Sequence, residues 1–594
     1  MGNDGYAGSI LYVNLTEESI REKPYPDTWK RKYLGGRGLG VAIISEMVDP
    51  VCDPLGGENV LVFATGPLTG SGIPLGSRYD VITKSPLTGT LTSANSGGVF
   101  GTALKRAGYD AVVFSGSAER PLLLWVHDHT AELRDARHYW GMETGATQQA
   151  MKADYHEDHL RIACIGPAGE RLCRMACIIN DRGRAAGRGG VGAVMGAKYL
   201  KAVAAHGTMP VPPRDSTRLE DAKREIRRKL KDSGVATGSL QKYGTAGILH
   251  LINKRGILPT NNHRRGSFAG AEQVSGERMQ QTIFRRRNPC YACIVGCGRI
   301  TAVGETEGDG PEYETIWAMG PQCGADDLEK IALANYRCNE LGLDTISTGS
   351  TIACAIELSE REIISERISS GDGEAVCRLV EMIGMREGIG DELAEGSYRF
   401  AEMYGHPEFS MSVKMQELPA YDPRGLMGMG LNYATSVRGG CHVYGNMVYP
   451  EVIGAPVKLD PFVTAGKAEW TKKMQDIAAA IDSSGICIFT ERTLWAEDYA
   501  AMINAVTGFD LDAAEIFTIG ERIWNLQKLF NLRAGFTRDD DTLPKRLMEE
   551  PLTEGDPAGR VWIREPLLSE YYAVRSWDPD GVPTLEKLRE LGLK

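Results

Sequence analysis

Residues 288–297 read Asn-Pro-Cys-Tyr-Ala-Cys-Ile-Val-Gly-Cys, which sets Cys290, Cys293 and Cys297 in a C-x2-C-x3-C spacing. Three thiolates this close in the chain can converge on one iron–sulfur cluster while the backbone amides between them face its sulfides. A fourth ligand is then needed. Zinc is one rival, because closely spaced cysteines also build structural zinc sites. Those pair with a second C-x2-C or a histidine knuckle nearby, and none follows here. A radical-SAM cluster is a second rival, but its cysteines run in the opposite order, C-x3-C-x2-C. Spacing favours an iron–sulfur cluster and leaves zinc open.

Other eye-catching residues read more plainly when taken singly. Cys173 and Cys177 sit among apolar residues with no histidine or cysteine in register, as buried thiols do. His127-Asp-His129 follows an apolar run and reads as an exposed turn. Gly187-Arg-Gly-Gly-Val-Gly192 matches G-x-G-x-x-G, yet lacks the acidic residue about 20 positions on that a dinucleotide fold requires. It stays open as a phosphate cradle of another kind. Glu314 alone reads as a solvated carboxylate at a helix start, where acidic residues are favoured. Glu312, beside Pro311, reads as a helix-entry carboxylate. Arg285, Arg286 and Arg287 form a charge run of the sort that usually faces solvent, with docking of an acidic partner as the sharper reading.

The elements that must position these groups fall into two textures. From about residue 7 to 210, β-like runs such as Ile10 to Leu15, Val60 to Ala64, Ala111 to Phe114 and Pro121 to Val126 alternate with glycine-rich turns. After Pro210, Pro212 and Pro213 the patterns turn helical. Helices are expected over Arg218 to Leu230, Asp327 to Leu341, Gly349 to Arg367, Glu374 to Met385 and Thr464 to Ile481. Boundaries are placed near residues 210 and 415, giving 1–210, 211–415 and 416–594. A chain of 594 residues accommodates roughly three to five domains. No repeat of solenoid length is present.

Lys and Arg number 67 against 78 Asp and Glu, a net charge of −11, which disfavours a general grip on nucleic acid or anionic membrane. No stretch approaches the roughly 18 to 20 apolar residues of a membrane span, and the first twenty residues lack a charged-then-apolar leader. The 13 cysteines are odd in number and scattered, which argues for reduced thiols or metal ligands over a disulfide framework. Both point to the cytoplasm.

Several segments together resemble the tungsten-containing aldehyde:ferredoxin oxidoreductase family. They are Gly35-Gly-Arg-Gly-Leu-Gly40, Ser77-Arg78, Ser93-Ala-Asn-Ser-Gly-Gly98, Arg184-Ala-Ala-Gly-Arg-Gly-Gly190 with Ala193-Val-Met-Gly196, the cysteine motif, and Gly310-Pro-Glu-Tyr-Glu-Thr315. Further on stand Asn339-Glu-Leu-Gly-Leu-Asp344, Tyr433-Ala-Thr-Ser436 with Arg438 and His442, and Asp482-Ser-Ser-Gly-Ile-Cys487. The resemblance covers essentially the whole chain. It implies an α+β fold, with an N-terminal two-sheet base domain that binds pterin and two mostly α-helical domains after it.

The resemblance also implies cofactors: a tungsten bis-pterin, one [4Fe-4S] cluster whose fourth ligand is Cys487, and a magnesium ion bridging the pterin phosphates. Asn95 and the Ala185 carbonyl match the magnesium contacts, with Ser96, Gly97, Arg184 and Gly187 around the phosphates. Arg78 matches the arginine between pterin and cluster. Asn339, Leu343 and Asp344 match one pterin-binding element, Asp482 and Ile486 with Cys487 match its twin, and Arg438 is a further pterin contact. Asn339 stands where the element carries an aspartate, and Tyr444 where a lysine is expected. Glu314 matches an active-site glutamate that takes a proton or orients water. His442 matches a histidine that donates to a carbonyl oxygen.

The implied reaction oxidises a small-molecule aldehyde to the carboxylic acid and passes electrons to ferredoxin or a related iron–sulfur subunit. Two alternatives are an aromatic acyl-coenzyme A ring-reductase subunit of the same family and a catalytically silent electron-transfer subunit. Cys323 is expected to pack a pocket wall, with ligation of tungsten as its minor reading. Self-association as a homo-oligomer is compatible with the sequence. A dimer bridged by a glutamate–histidine metal is not expected, because no histidine lies between Thr345 and Gly405.

Overall fold

The computed structural model describes residues 4–594. Its first third is built on two six-stranded mixed sheets. One has the order β2-β1-β6-β3-β4-β5, with β1 (Ser9–Asn14), β2 (Ser19–Pro24), β3 (Leu61–Thr65), β4 (Tyr79–Lys84), β5 (Leu91–Ser96) and β6 (Ala111–Ser115). The other has the order β11-β10-β9-β12-β7-β8, with β7 (Leu122–His127), β8 (Thr130–Asp135), β9 (Arg161–Cys164), β10 (Ile178–Asn180), β11 (Arg184–Ala186) and β12 (Leu200–His206). Only the pairs β1–β6 and β12–β7 are parallel. Residues such as Phe63, Val81, Val112, Leu124 and Val203 pack between the sheets in one apolar core, as alternating inward faces require.

The rest is mostly helical. The amphipathic helix Ser216–Asp232 is capped by Asp215, and Leu328–Leu341 by Asp327. Two expected helices have other limits. The one placed at Gly349 to Arg367 runs Thr345–Glu360, because the Asp344 carboxylate accepts from Ile346 N and Ser347 N and starts it a turn earlier. The one placed at Thr464 to Ile481 runs Lys467–Ser484 and ends where Gly485 turns left-handed at φ +84.

A small antiparallel sheet was not expected at all: β13 (Phe284–Arg287), β14 (Arg299–Val303) and β15 (Thr306–Asp309). The residues of β13, Phe-Arg-Arg-Arg, show no apolar alternation, so the strand carries little signal of its own. Its pairing of Arg287 with Arg299 makes the cysteine segment the loop of a hairpin.

The cores ignore chain order. Ile43 and Ile44 of the helix Gly36–Met47 share one core with Leu219 and Ile226, and with Ile481 and Ile523. Another joins Trp317 and Ile352 to Met429, Trp524 and Trp562. The sheet-bearing third is thereby clasped from two sides by helices far away in sequence, and the cleft between them becomes the site. Among the described residues, no helix is long and apolar enough to cross a membrane.

Candidate active site

A cavity of about 560 Å³ lies where the base sheets meet the helices, within the range of small-molecule and cofactor pockets. Three constellations border it.

The first is the cysteine loop. Asn288 N donates to Gly298 O at 2.8 Å to close the hairpin, and Tyr291 N donates to Gly98 O at 3.1 Å to dock the loop on the base. A Cβ on Gly97 would lie 2.9 Å from Cys290 Sγ, so only glycine lets the two loops meet this closely. Cys487 arrives from the other end of the chain. Its N donates to Leu75 O at 3.1 Å, Arg78 N donates to Gly485 O at 3.0 Å, and Arg78 Nη2 donates to Cys487 Sγ at 3.0 Å. Burial works against the Arg78 charge, but the nearby sulfurs of Cys487, Cys290 and Cys297 raise its pKa above the usual value. Burial likewise pushes the Cys293 and Cys297 thiols up, and each feels Cys487.

Four cysteines thus surround one arginine-bordered place. Among the described residues, no three His, Cys, Asp or Glu side chains close on one point as a lone metal ion would need. A single zinc ion with sulfurs about 2.3 Å away therefore does not fit this set, whereas a multi-iron cluster takes ligands spread more widely.

The second constellation is a polar cradle on the base. Asn95 is the penultimate residue of β5, donating to Asp80 Oδ2 at 3.1 Å and accepting from Arg78 Nη1 at 3.3 Å. Arg184 and Ala185 lie in β11. Arg78, Asn95, Gly97, Arg184, Ala185 and Gly187 all line the cavity. At Gly187 a Cβ would meet only that of Ala185, 4.0 Å away, so the chain is bare towards open space there. Ser96 is turned elsewhere: its hydroxyl donates to Asn180 Oδ1 at 2.8 Å, and it does not line the cavity. Neighbours in a strand face opposite sides, so Asn95 and Ser96 cannot both point inward.

Asn339, Leu343, Asp344, Arg438 and Asp482 also line the cavity, whereas Ile486 is buried behind it. Burial raises the Asp482 carboxyl, and Arg37, whose Nη1 lies 3.6 Å away, opposes that rise. Tyr444 donates to Ser93 O at 3.0 Å and stacks with Arg37 and Arg438 at 3.5 and 4.1 Å, so its ring is flanked by two cations.

The third constellation is an acid and a histidine. Glu314, in the first turn of the helix Tyr313–Met319, accepts from Ala420 N at 3.0 Å through Oε2. Its Oε1 has no protein partner and lies 3.6 Å from His442 Nε2, too far for a hydrogen bond. Burial pushes this carboxyl up to about 8. Burial, with the positive Arg188 and Arg438 nearby, pushes His442 down to about 3. The solvated-carboxylate reading of Glu314 therefore does not hold. Glu312 is the N-cap residue of that helix, and its carboxylate accepts from the Thr245 hydroxyl.

Arg188 is absent from the residues singled out in the sequence. It lines the cavity and is nearly fully buried. It donates to Asp344 Oδ2 at 3.1 Å, Ser347 Oγ at 3.2 Å, and the carbonyls of Gly440 and Glu417, each at 2.7 Å. It pins base, helix start and histidine loop together. The available signal was an arginine inside an otherwise small-residue run, Ala185 to Gly190, where a long cation has no local packing role. Cys323 is fully buried outside the cavity wall, its thiol donating to the Ala318 and Gly349 carbonyls.

A deep cavity bordered by converging thiols, a glycine-backed polar cradle and a neutral acid–histidine pair is the arrangement of a redox enzyme that encloses large cofactors. The chain belongs to the aldehyde ferredoxin oxidoreductase family: residues 10–207 match its N-terminal domain and residues 221–593 its domains 2 and 3. It is 48% identical to the tungsten-containing aldehyde ferredoxin oxidoreductase of Pyrococcus furiosus and 48% identical to that of Thermococcus kodakarensis, over 99% of both chains in each comparison. The fold is also that of the active-site complex BamBC of benzoyl coenzyme A reductase. That match has a TM-score of 0.86 at 24% identity and covers 99% of this chain and 97% of that one.

Proposed function

We propose that this protein oxidises an aldehyde to the carboxylic acid and delivers the electrons to a ferredoxin, as the names of its relatives at 48% identity describe for them. The ring-reductase likeness is one of fold. The observation that carries the aldehyde reading is the enclosed Glu314–His442 pair, facing the same cavity as Cys290, Cys297 and the cradle.

The residues present fit a tungsten bis-pterin, a [4Fe-4S] cluster and a magnesium ion. Cys290, Cys293, Cys297 and Cys487 would hold the cluster. Asn95 and the Ala185 carbonyl would take the magnesium, and Gly97, Arg184 and Gly187 the phosphates it joins, since bare backbone and a divalent cation both suit converging anionic oxygens. Asn339, Leu343, Asp344, Arg438 and Asp482 would hold the pterins. When bound, the tungsten pterin accepts the electron pair released by the aldehyde, and the cluster hands electrons on singly.

The protein's own part is positioning and proton transfer. Overall, an aldehyde and water give the acid, two protons and two electrons. His442, neutral throughout the working range, donates one N–H to the carbonyl oxygen. Glu314 takes a proton from the oxygen nucleophile through the free Oε1, and a carboxyl titrating near 8 is matched to that task. Arg188 braces the segments beside both, holding the Gly440 carbonyl near His442 and the Glu417 carbonyl near the Ala420 amide that binds Glu314. Apolar side chains in the cavity lining, among them Ile248, Tyr421, Val443 and Phe489, limit the water around the reacting carbon.

The test is the pH profile of aldehyde-dependent viologen reduction. For the unaltered protein kcat/KM should rise with pH through about 8 and level off above it, because the base works only when ionised. Glu314→Gln should lower kcat by roughly 10²- to 10⁴-fold and abolish that limb. An unchanged profile in Glu314→Gln would remove Glu314 from the role.

A further inference from the structure

The cysteine loop also reaches solvent. Pro289 and Ala292 are exposed, and Cys293, which does not line the cavity, is only half-buried. Ala292 holds φ +53, which bulges the chain outward at the middle of the motif.

Around this opening stand unpaired positive charges. Arg285 and Arg287 are exposed on β13, and the Arg287 guanidinium comes within 3.6 Å of where a Gly296 Cβ would stand. Gly296 N in turn donates to Cys293 Sγ at 3.4 Å. Arg106 donates to the Tyr291 hydroxyl at 3.0 Å and stacks on that ring. Lys242 is exposed on a short helix whose Gln241 donates to Ile294 O. Arg286 is paired with Glu307 at 3.0 Å, but Arg106, Lys242, Arg285 and Arg287 have no ion-pair partner among the described residues. In a chain of net charge −11, four unpaired cations at one opening are a local reversal of the overall field.

We infer that this cationic rim, Arg106, Lys242, Arg285 and Arg287 around Pro289 and Ala292, is the docking surface for an acidic iron–sulfur electron carrier. The inference rests on the aldehyde reading above and adds the place where electrons leave. The partner's acidic face meets the four cations, and its cluster comes up against the bulge at Ala292, one residue from Cys293. Each aldehyde oxidised then reduces two molecules of a one-electron ferredoxin. Rim charges of this kind act on encounter rate and salt dependence more than on the chemistry within.

The test compares two acceptors on the intact protein: an acidic one-electron [4Fe-4S] ferredoxin and the small dye benzyl viologen, which needs no docking face. In the double variant Arg285→Glu/Arg287→Glu, kcat/KM for ferredoxin at low salt should fall roughly tenfold or more, with dye reduction unchanged. Arg285→Lys/Arg287→Lys should keep the ferredoxin rate. For the unaltered protein, ferredoxin reduction should weaken as ionic strength rises through about 0.1 M while dye reduction does not. A ferredoxin rate indifferent to charge reversal or to salt would overturn the proposal, and so would parallel loss of both acceptors in the reversed variant. Absence of aldehyde-dependent dye reduction in the unaltered protein would remove the reading beneath it, and the proposal too.

Discussion

The chain leaves two helices by the same turn. Leu328–Leu341 ends at Gly342, φ +79, and Lys467–Ser484 at Gly485, φ +84. Three residues before each glycine stands a cavity-lining polar side chain, Asn339 or Asp482, and two residues after it stands the N-cap residue of a new element, the helix Thr345–Glu360 or the short 3-10 helix Ile488–Arg492. The two turns diverge in that last residue. Asp344 caps Thr345–Glu360 and takes the Arg188 guanidinium, whereas Cys487 turns its sulfur to Arg78 and the cysteine loop. One backbone device therefore serves twice, and a single side chain decides whether the turn braces the helix Thr345–Glu360 or reaches the cysteine loop.

Altering the diverging residue should separate the two turns most sharply. Cys487→Ser should lose the cluster or leave it short of iron, and abolish dye reduction with it, whereas Asp344→Asn should leave iron content unchanged; iron analysis with visible absorbance reads both. An intact cluster in Cys487→Ser would end its assignment as fourth ligand.

The glycines come next. A Cβ on Gly485 would lie 2.2 Å from Thr69 Oγ1, but on Gly342 its nearest neighbour is Gly166 N at 3.0 Å. Both alanine variants carry the left-handed cost of about 1–2 kcal/mol. Gly485→Ala adds overpacking of about 1–3 kcal/mol, so chemical denaturation should rank it clearly below Gly342→Ala. Equal losses would show that the second turn is no tighter than the first.

Arg188→Met removes the cation that ties Asp344 to the Gly440 carbonyl. Dye-linked kcat should fall about tenfold or more through misplacement of Glu314 and His442, with iron content unchanged. Loss of iron instead would place Arg188 on the wrong side of the comparison. The smallest effect is expected for Asn339→Asp. It restores the charge found at Asp482, its side chain makes no hydrogen bond among the described residues, and stability should move by no more than about 0.5 kcal/mol.

The sequence shows the paired textures, the three-cysteine motif and most helix cores, because periodicity and spacing are local. What it hides is set by contacts made only on folding. Cys487 has no local partner and meets the cysteine loop only because Gly485 and Leu75 bring it there. The strand Phe284–Arg287 is built from charged residues and owes its existence to its partner across the cysteine hairpin. Asn95 and Ser96 look equally suited to the cradle until strand alternation sends one inward and one behind. Arg188 is recognisable only after four separate segments converge on it.

The account turns on one site that joins aldehyde chemistry to an iron–sulfur exit. The most direct test is metal and pterin analysis of anaerobically purified protein, with aldehyde-dependent viologen reduction measured on the same sample. About one tungsten and about four irons per chain, with pterin present and dye reduced only when aldehyde is added, is the predicted result. Iron without tungsten or pterin, or dye reduction indifferent to aldehyde, would contradict it.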